Sequence, residues 1–377
     1  MIQSPGIWLM VLAFVLVLGP LVFLHELGHY LAGRWFGVKA DEFSIGFGRE
    51  IAGFTDKRGT RWKFGWLPLG GYVRFAGDMN PASQPDPGWL ALPADERSKT
   101  FQAKKLWQRA IIVAAGPIAN FIVAIVILAG FAMIYGQAST STVLKAVVPG
   151  SAAATAGLQA GDKITALGGR AVATFDMVAN YAQLRPNETV QVDYERAGRP
   201  MRAELRIGEK VETDRFGNVF RIGLLGVESG TPTLNPVGIL EAPFVGIRET
   251  GRVVRMTVDG LGQILSGRRS AADMGGPLRI GQVAGQRLSM GPQEFVFLIA
   301  LISINLGFFN LLPVPVFDGG HLLFYGIEAI RRRPVEPQVM EWAFRGGLMA
   351  ILALMLFVTI NDLGAFGVWR NLAGLIG

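Results

Sequence analysis

Four stretches of this chain are almost wholly apolar. The first runs from Ile7 to about Ala32 and the second from Ile111 to Tyr135. The third, Phe295 to Leu312, is interrupted by Ser303, Asn305 and Asn310. The fourth has its core at Gly347 to Ile360 and needs flanking residues such as Trp342 to Arg345 to reach spanning length. About 20 apolar residues cross a bilayer core as a helix, so the pattern predicts four transmembrane helices. The first is expected to stay on the chain, because no basic start or small-residue cleavage pattern marks it as a signal peptide. An even number of spans puts both termini on one side.

Two regions between the spans alternate with a period of two instead. Arg61 to Val73 interleaves aromatic and apolar residues with glycines, including Gly70 and Gly71, and reads as strand-turn-strand. Beside an active site, its exposed edge could hold an extended chain by strand addition; an ordinary interfacial hairpin is the plainer alternative. Gly77 to Ser98, rich in Pro, Asp and Ser, reads as a flexible linker. Thr142 to Ile207 predicts a small α+β domain: strands at Val143–Val148, after Gly161-Asp162, and at Val190–Arg196 and Met201–Ile207, with helices at Ala152–Ala156 and Phe175–Leu184. Pro236 to Gly267 carries helical spacing with Arg248, Arg252 and Arg255, a basic amphipathic helix for a membrane surface or for the neighbouring domain.

Composition agrees with a membrane protein. The 377 residues are 50% hydrophobic with mean hydropathy +0.36, and the excess sits in blocks. The net charge of +7 accompanies no nucleic-acid-binding signature, so no nucleic-acid partner is expected. Positive-inside loops account for it: Arg34, Lys39, Lys104, Lys105 and Arg109 flank the first loop, and Arg331-Arg332-Arg333 lies in the third. Both loops are therefore expected in the cytoplasm, with the termini and the α+β domain outside it. There is no cysteine, which removes thiolate zinc sites and cysteine nucleophiles and leaves His and carboxylates for a metal.

The chemistry gathers at the end of the first apolar run, in His25-Glu26-Leu27-Gly28-His29. Histidines four apart share a helix face and can grip one ion, and Glu26 can take a proton from a water beside it. Two of the chain's 3 histidines and an acid at membrane depth are costly without a function. A third protein ligand is required. One candidate is Asp318, in Asn310-Leu311-Leu312-Pro313-Val314-Pro315-Val316-Phe317-Asp318-Gly319-Gly320, though Asp318 could equally cap the following helix. His321 is the rival. Pro313 and Pro315 would break the helix and re-aim the chain, and Asn310, one turn before them, could hold a substrate backbone or bond a neighbouring helix.

HELGH in a first membrane segment, with Asn-x-x-Pro-x-Pro-x-x-Asp-Gly in a later one, resembles the site-2 protease family of intramembrane zinc metalloproteases. The bacterial regulator-of-sigma-E protease type is the nearest likeness, and Gly116-Pro117-x-x-Asn120-Phe121 belongs to the match. The resemblance implies Zn2+ held by His25, His29 and Asp318, with Glu26 as catalytic base. It implies a re-entrant β element. The candidate substrate-binding residues are Asn310, Pro313, Pro315, Gly70 and Gly71. The substrate it implies is a membrane-spanning protein such as an anti-sigma factor, cut in the bacterial inner membrane. The string Ala156-Gly157-Leu158-x-x-Gly161-Asp162-x-Ile164 resembles a bacterial PDZ domain, which would bind a substrate chain end or exclude bulky ectodomains. Relatives of this architecture often carry two such domains; one is found here. Gly116-Pro117 itself reads as the start of the second span, with Asn120 capping it or bonding a neighbouring helix.

The expected fold is a multi-pass α-helical membrane protein with four transmembrane helices, a re-entrant β element and an inserted extracytoplasmic PDZ domain. Its segments are residues 1–36, 37–106 (first loop), 107–136, 137–210 (PDZ domain), 211–292, 293–330, 331–341 (third loop) and 342–377. Two rival functions remain at this stage. A membrane zinc transporter predicts polar residues along several spans, and few are present. A non-catalytic PDZ scaffold predicts a damaged motif, and all four residues are intact.

Overall fold

The computed structural model describes residues 5–78, 87–213, 219–231, 233–266 and 275–365. It divides into two compact units, one of them formed by residues 130–242 with two short later segments.

The first unit begins with α1 (Ile7–Trp35). Its buried face carries Ala13, Val17, Leu21, His25 and His29. A step of four keeps these residues in one inclined row, so the row that packs the helix also delivers both histidines. Gly37, at φ 71°, ends the helix, and the Val38 N–H returns to the Gly33 carbonyl at 2.8 Å.

β1 (Ala40–Thr55) and β2 (Arg61–Phe75) form an antiparallel hairpin. Asp56 closes its turn by accepting from the N–H groups of Arg58 (2.8 Å) and Thr60 (2.9 Å). The register shifts repeatedly, and Gly46 and Gly48 both sit at φ 85°, where side chains are strained. At the root, Phe43, Val73 and Phe75 pack with Tyr30, Phe101 and Ile112. Farther out, Ile51, Phe54, Phe64 and Trp66 are exposed. Of the expected linker at residues 77–98, residues 79–86 lie outside the described ones. The rest is not featureless: it contains a 3-10 turn (Pro87–Ala91) and α2 (Ala94–Arg97).

α3 (Leu106–Tyr135) corrects the reading of Gly116-Pro117, which lies inside the helix and not at its start. Its buried row is again spaced by four: Ile112, Gly116, Asn120, Ala124, Leu128 and Ala132. Beside these rows, α1 and α3 approach closely at Gly28, where a Cβ would run into the Ala115 carbonyl and Ala119.

The second unit holds β3 (Gln137–Ser139), β4 (Leu144–Val147), α4 (Ala152–Thr155), β5 (Lys163–Leu167), β6 (Arg170–Ala171), α5 (Phe175–Gln183), β7 (Thr189–Arg196) and β8 (Arg199–Arg206). They are followed by β9 (Gly208–Thr213), β10 (Val219–Leu224), β11 (Val227–Ser229) and β12 (Thr233–Asn235). The central sheet has the order β6-β5-β7-β8. On β7, Val190, Val192 and Tyr194 alternate inward onto Ile164, Leu167, Val178 and Leu205. The strand-forming region extends beyond the expected boundary at 210. β11 pairs with β4 and β12 with β3, so the closing strands belong to the same unit as the opening ones. Such nonlocal pairing leaves no local signal.

The chain then returns to the first unit through α6 (Ala242–Leu265), α7 (Pro277–Met290), α8 (Pro292–Leu311), α9 (Asp318–Arg331) and α10 (Pro337–Ala365). α6, expected on a membrane surface or on the neighbouring domain, packs on α3 and α8 along one face. Its Val253 and Val254 pack on Ala124, Leu128, Ala300 and Ile304, and Thr257 Oγ1 donates to Asn305 Oδ1 at 3.0 Å. α7 is not anticipated by the sequence pattern; it buries Gln282 and Ala284 and packs Ala284 against α1. Asp362 caps it, accepting from the N–H groups of Gly276 (3.2 Å) and Arg279 (3.1 Å). The third span is broken after Leu311, and α9 starts separately at Asp318. Among the described residues, α1, α3, α8 and residues 338–364 of α10 are long and apolar enough to cross a membrane.

Candidate metal centre

The α1 row turns both imidazoles toward α9. His25 Nε2 and His29 Nε2 are 3.3 Å apart. Asp318, the first helical residue of α9 and not its cap, brings Oδ2 to 3.1 Å from His25 Nε2 and Oδ1 to 3.5 Å from His29 Nε2. Zinc bound tetrahedrally at about 2.0–2.1 Å holds its ligand atoms roughly 3.3 Å apart, so the three spacings suit that ion. Asp318 Oδ2 is buried without a hydrogen bond, a state that an ion would relieve. These three are the one such cluster among the described residues.

Neighbouring groups orient the donors. His29 Nδ1 donates to the Ile112 carbonyl at 2.9 Å, which leaves Nε2 as the lone-pair nitrogen. Pro117, inside α3, has no N–H for the Val113 carbonyl, the one next to the Ile112 carbonyl that makes this contact. Gly116 is the clearance for the ring: a Cβ there would strike His29 Nε2. His25 Nδ1 lies 3.0 Å from Asn120 Nδ2.

α9 is aimed by the broken segment before it. Val316 has φ 93°, a strained conformation for a β-branched residue that costs on the order of 1–3 kcal/mol. The backbone folds tightly enough that a Cβ on Gly319 would hit the Leu311 and Leu312 carbonyls, and one on Gly320 the Val314 carbonyl.

The donors open into a cavity of about 620 Å³ that Glu26, Gly71, Asn310, Val316 and His321 also line. Glu26 is buried against β2, where a Cβ on Gly71 would meet its Cγ. Asn310 spends its Nδ2 on the Leu306 carbonyl of its own helix (3.0 Å), not on a neighbouring one. Gly70, Pro313 and Pro315 are not among the lining residues. Gly70 abuts Phe47, and Pro315 packs against Gly320 and Gly347. His321 stands in the wall beside Phe344, ring centroids 4.8 Å apart, outside the three-donor cluster. Sequence reasoning missed the contributions of Gly116 and Asn120 to the site. Their place in one row with Ile112, at steps of four, was the signal available.

The model of peptidase family M50 matches residues 13–354. A relative in Agrobacterium fabrum, named as a zinc metalloprotease, is 46% identical over 94% of this chain and 96% of its own. Another so named, in Rhizobium meliloti, is 44% identical over 93% of this chain and 95% of its own. The metalloprotease MmpA of Caulobacter vibrioides is 37% identical over 98% and 99%. Among solved structures, the PDZ domain of an SdrC-like protein of Listeria monocytogenes is 21% identical over 24% of this chain and 86% of its own, with a TM-score of 0.19, too low to carry an argument. The chain belongs to peptidase family M50, the site-2 protease family, and is a zinc-dependent protease of the membrane.

Proposed function

We propose that the protein cuts a peptide bond inside the transmembrane helix of a single-span substrate, with zinc held by His25, His29 and Asp318. The observation that carries this reading is the three-donor cluster, two buried histidines and a half-buried aspartate, opening into a cavity among apolar helices. Held there, zinc would supply a Lewis acid that lowers the pKa of a water to about 7. Glu26 takes the proton of the attacking water and returns it to the leaving amine. Gly71 keeps β2 close to the Glu26 side chain, and Asn310 lines the space for the substrate backbone.

A helix conceals its peptide bonds, so the substrate must be extended before it is cut. The irregular β1–β2 hairpin, whose Gly71 and Tyr72 line the cavity, offers a strand edge for this, and as a re-entrant element would meet substrate within the bilayer. Pro313 and Pro315 act by aiming Asp318, and Gly70 by shaping the hairpin. The basic first and third loops support an inner-membrane topology with both termini and the α+β unit outside the cytoplasm and the active site toward the cytoplasmic side. That unit, read as a PDZ domain, recruits or sorts substrate ectodomains. An anti-sigma factor or similar regulator fits as substrate, its cytoplasmic part being released in regulated intramembrane proteolysis.

The test is a single-span membrane reporter co-expressed with wild type or Glu26→Gln, with the fragments weighed by mass spectrometry. Wild type is expected to cut within the apolar span. The variant should lose about 10²–10⁴-fold in rate while retaining zinc. A cut confined to an extramembrane loop, or an active Gln variant, sinks the proposal.

A further inference from the structure

We propose that Asn120 is a positioning residue for His25, accepting a hydrogen bond from its Nδ1–H and so aiming Nε2 at the metal position. The inference rests on the reading of His25 as a zinc ligand.

Asn120 is wholly buried in the middle of α3, in the row that carries Ile112 and Gly116. An amide in such a place is costly unless its polar atoms are used. Its Nδ2 lies 3.0 Å from His25 Nδ1, while its Oδ1 is buried with no hydrogen-bond partner. His25 Nε2 faces Asp318 and His29. A ligand nitrogen must carry its lone pair, so the proton of a neutral His25 sits on Nδ1. Two N–H groups would then face one another. A half-turn of the Asn120 amide exchanges Oδ1 and Nδ2 without moving the backbone, and the facing pair becomes donor and acceptor.

The arrangement parallels the one at His29. There, α3 offers the Ile112 carbonyl to Nδ1 at 2.9 Å. One helix thus orients both imidazoles, by main chain at one and by side chain at the other. Ser303 Oγ donates to the Asn120 carbonyl at 2.8 Å, fastening this point of α3 to α8. A neutral amide gives direction without adding a second negative charge beside Asp318.

The test uses full-length protein in detergent: wild type, Asn120→Asp, Asn120→Leu, Asn120→Ala and His25→Ala. Zinc affinity is measured by chelator competition, and the cobalt-substituted forms by their visible absorption. Asn120→Leu and Asn120→Ala are expected to bind zinc about 10–100-fold more weakly, with an altered cobalt spectrum. Asn120→Asp keeps an acceptor and should restore both readouts to near wild type. The alanine variant adds no bulk and keeps the test intact should leucine disturb the helix pair. Wild-type affinity and spectrum in Asn120→Ala, or an aspartate variant as weak as alanine, overturns the proposal. Loss of zinc in His25→Ala alone would then leave the ligand assignment standing. Unchanged zinc in His25→Ala overturns that assignment and this proposal with it.

Discussion

Two aspartates, Asp162 buried and Asp318 half-buried, divide the molecule's use of negative charge. Asp162, in the α+β unit, has both carboxylate oxygens engaged: Arg196 grips them at 2.8 Å each, and the Gln159 N–H adds a bond of 2.7 Å to Oδ2. Asp318 faces two imidazoles, and its Oδ2 has no hydrogen bond at all. A carboxylate saturated by a guanidinium has no capacity left for an ion. One left short among histidines does. The difference separates an acid that holds a fold together from one placed for chemistry, even though both are largely hidden from water.

Exchanging each acid for its amide is the strongest way to break this comparison. Asp318→Asn should reduce bound zinc from about one ion per chain to near none, with the αβ unit still folded. Asp162→Asn should leave zinc content unchanged. Metal analysis of both purified variants checks the pair, and zinc loss in Asp162→Asn would undo the contrast.

A smaller effect is expected without touching any donor. Gly116→Val puts a branched side chain where His29 Nε2 lies, so zinc affinity should fall by about 10–100-fold, as when a ligand's supporting contacts are lost. Chelator competition measures it, and wild-type affinity would mean that the helix pair has slack.

The mildest effect lies in pH. Hydrogen bonding to Arg196 holds the Asp162 carboxyl below the ordinary carboxylate range. Its folded pKa is therefore below its unfolded one. The stabilisation is fully present above the unfolded value of about 3.9 and drains away as pH falls through the folded value. Protection factors at Ile164 and Val192, taken against the intrinsic exchange rate at each pH, should fall below about pH 4 in wild type. Asp162→Asn should show faster exchange already at pH 7 and a flatter acid dependence.

Much of the site is legible in the chain because it follows short periods. His25 and His29 are one helical turn apart, and the apolar runs around them are long enough to be unmistakable. Asp318 is visible only through the proline-broken segment before it, since nothing local distinguishes a donor from a cap. What the sequence hides is nonlocal. α7 mixes Arg279, Gln282, Gln286 and Arg287 with apolar residues, and its burial depends on the α1 row. β11 and β12 are three-residue strands, defined only by partners far earlier in the chain, as in Val227 against Val147 and Thr233 against Ser139. Asn120 looks like any polar residue in a membrane helix until the histidine opposite it is in place.

The donors' separation along the chain has a consequence for synthesis. His25 and His29 emerge with the first helix, and Asp318 follows only after the α+β unit and α8. On the ligand set proposed above, a partly made chain therefore holds two of the three donors and lacks the third. On that proposal, activity begins only once Asp318 docks, and the order of synthesis itself would keep unfinished molecules from cutting their neighbours.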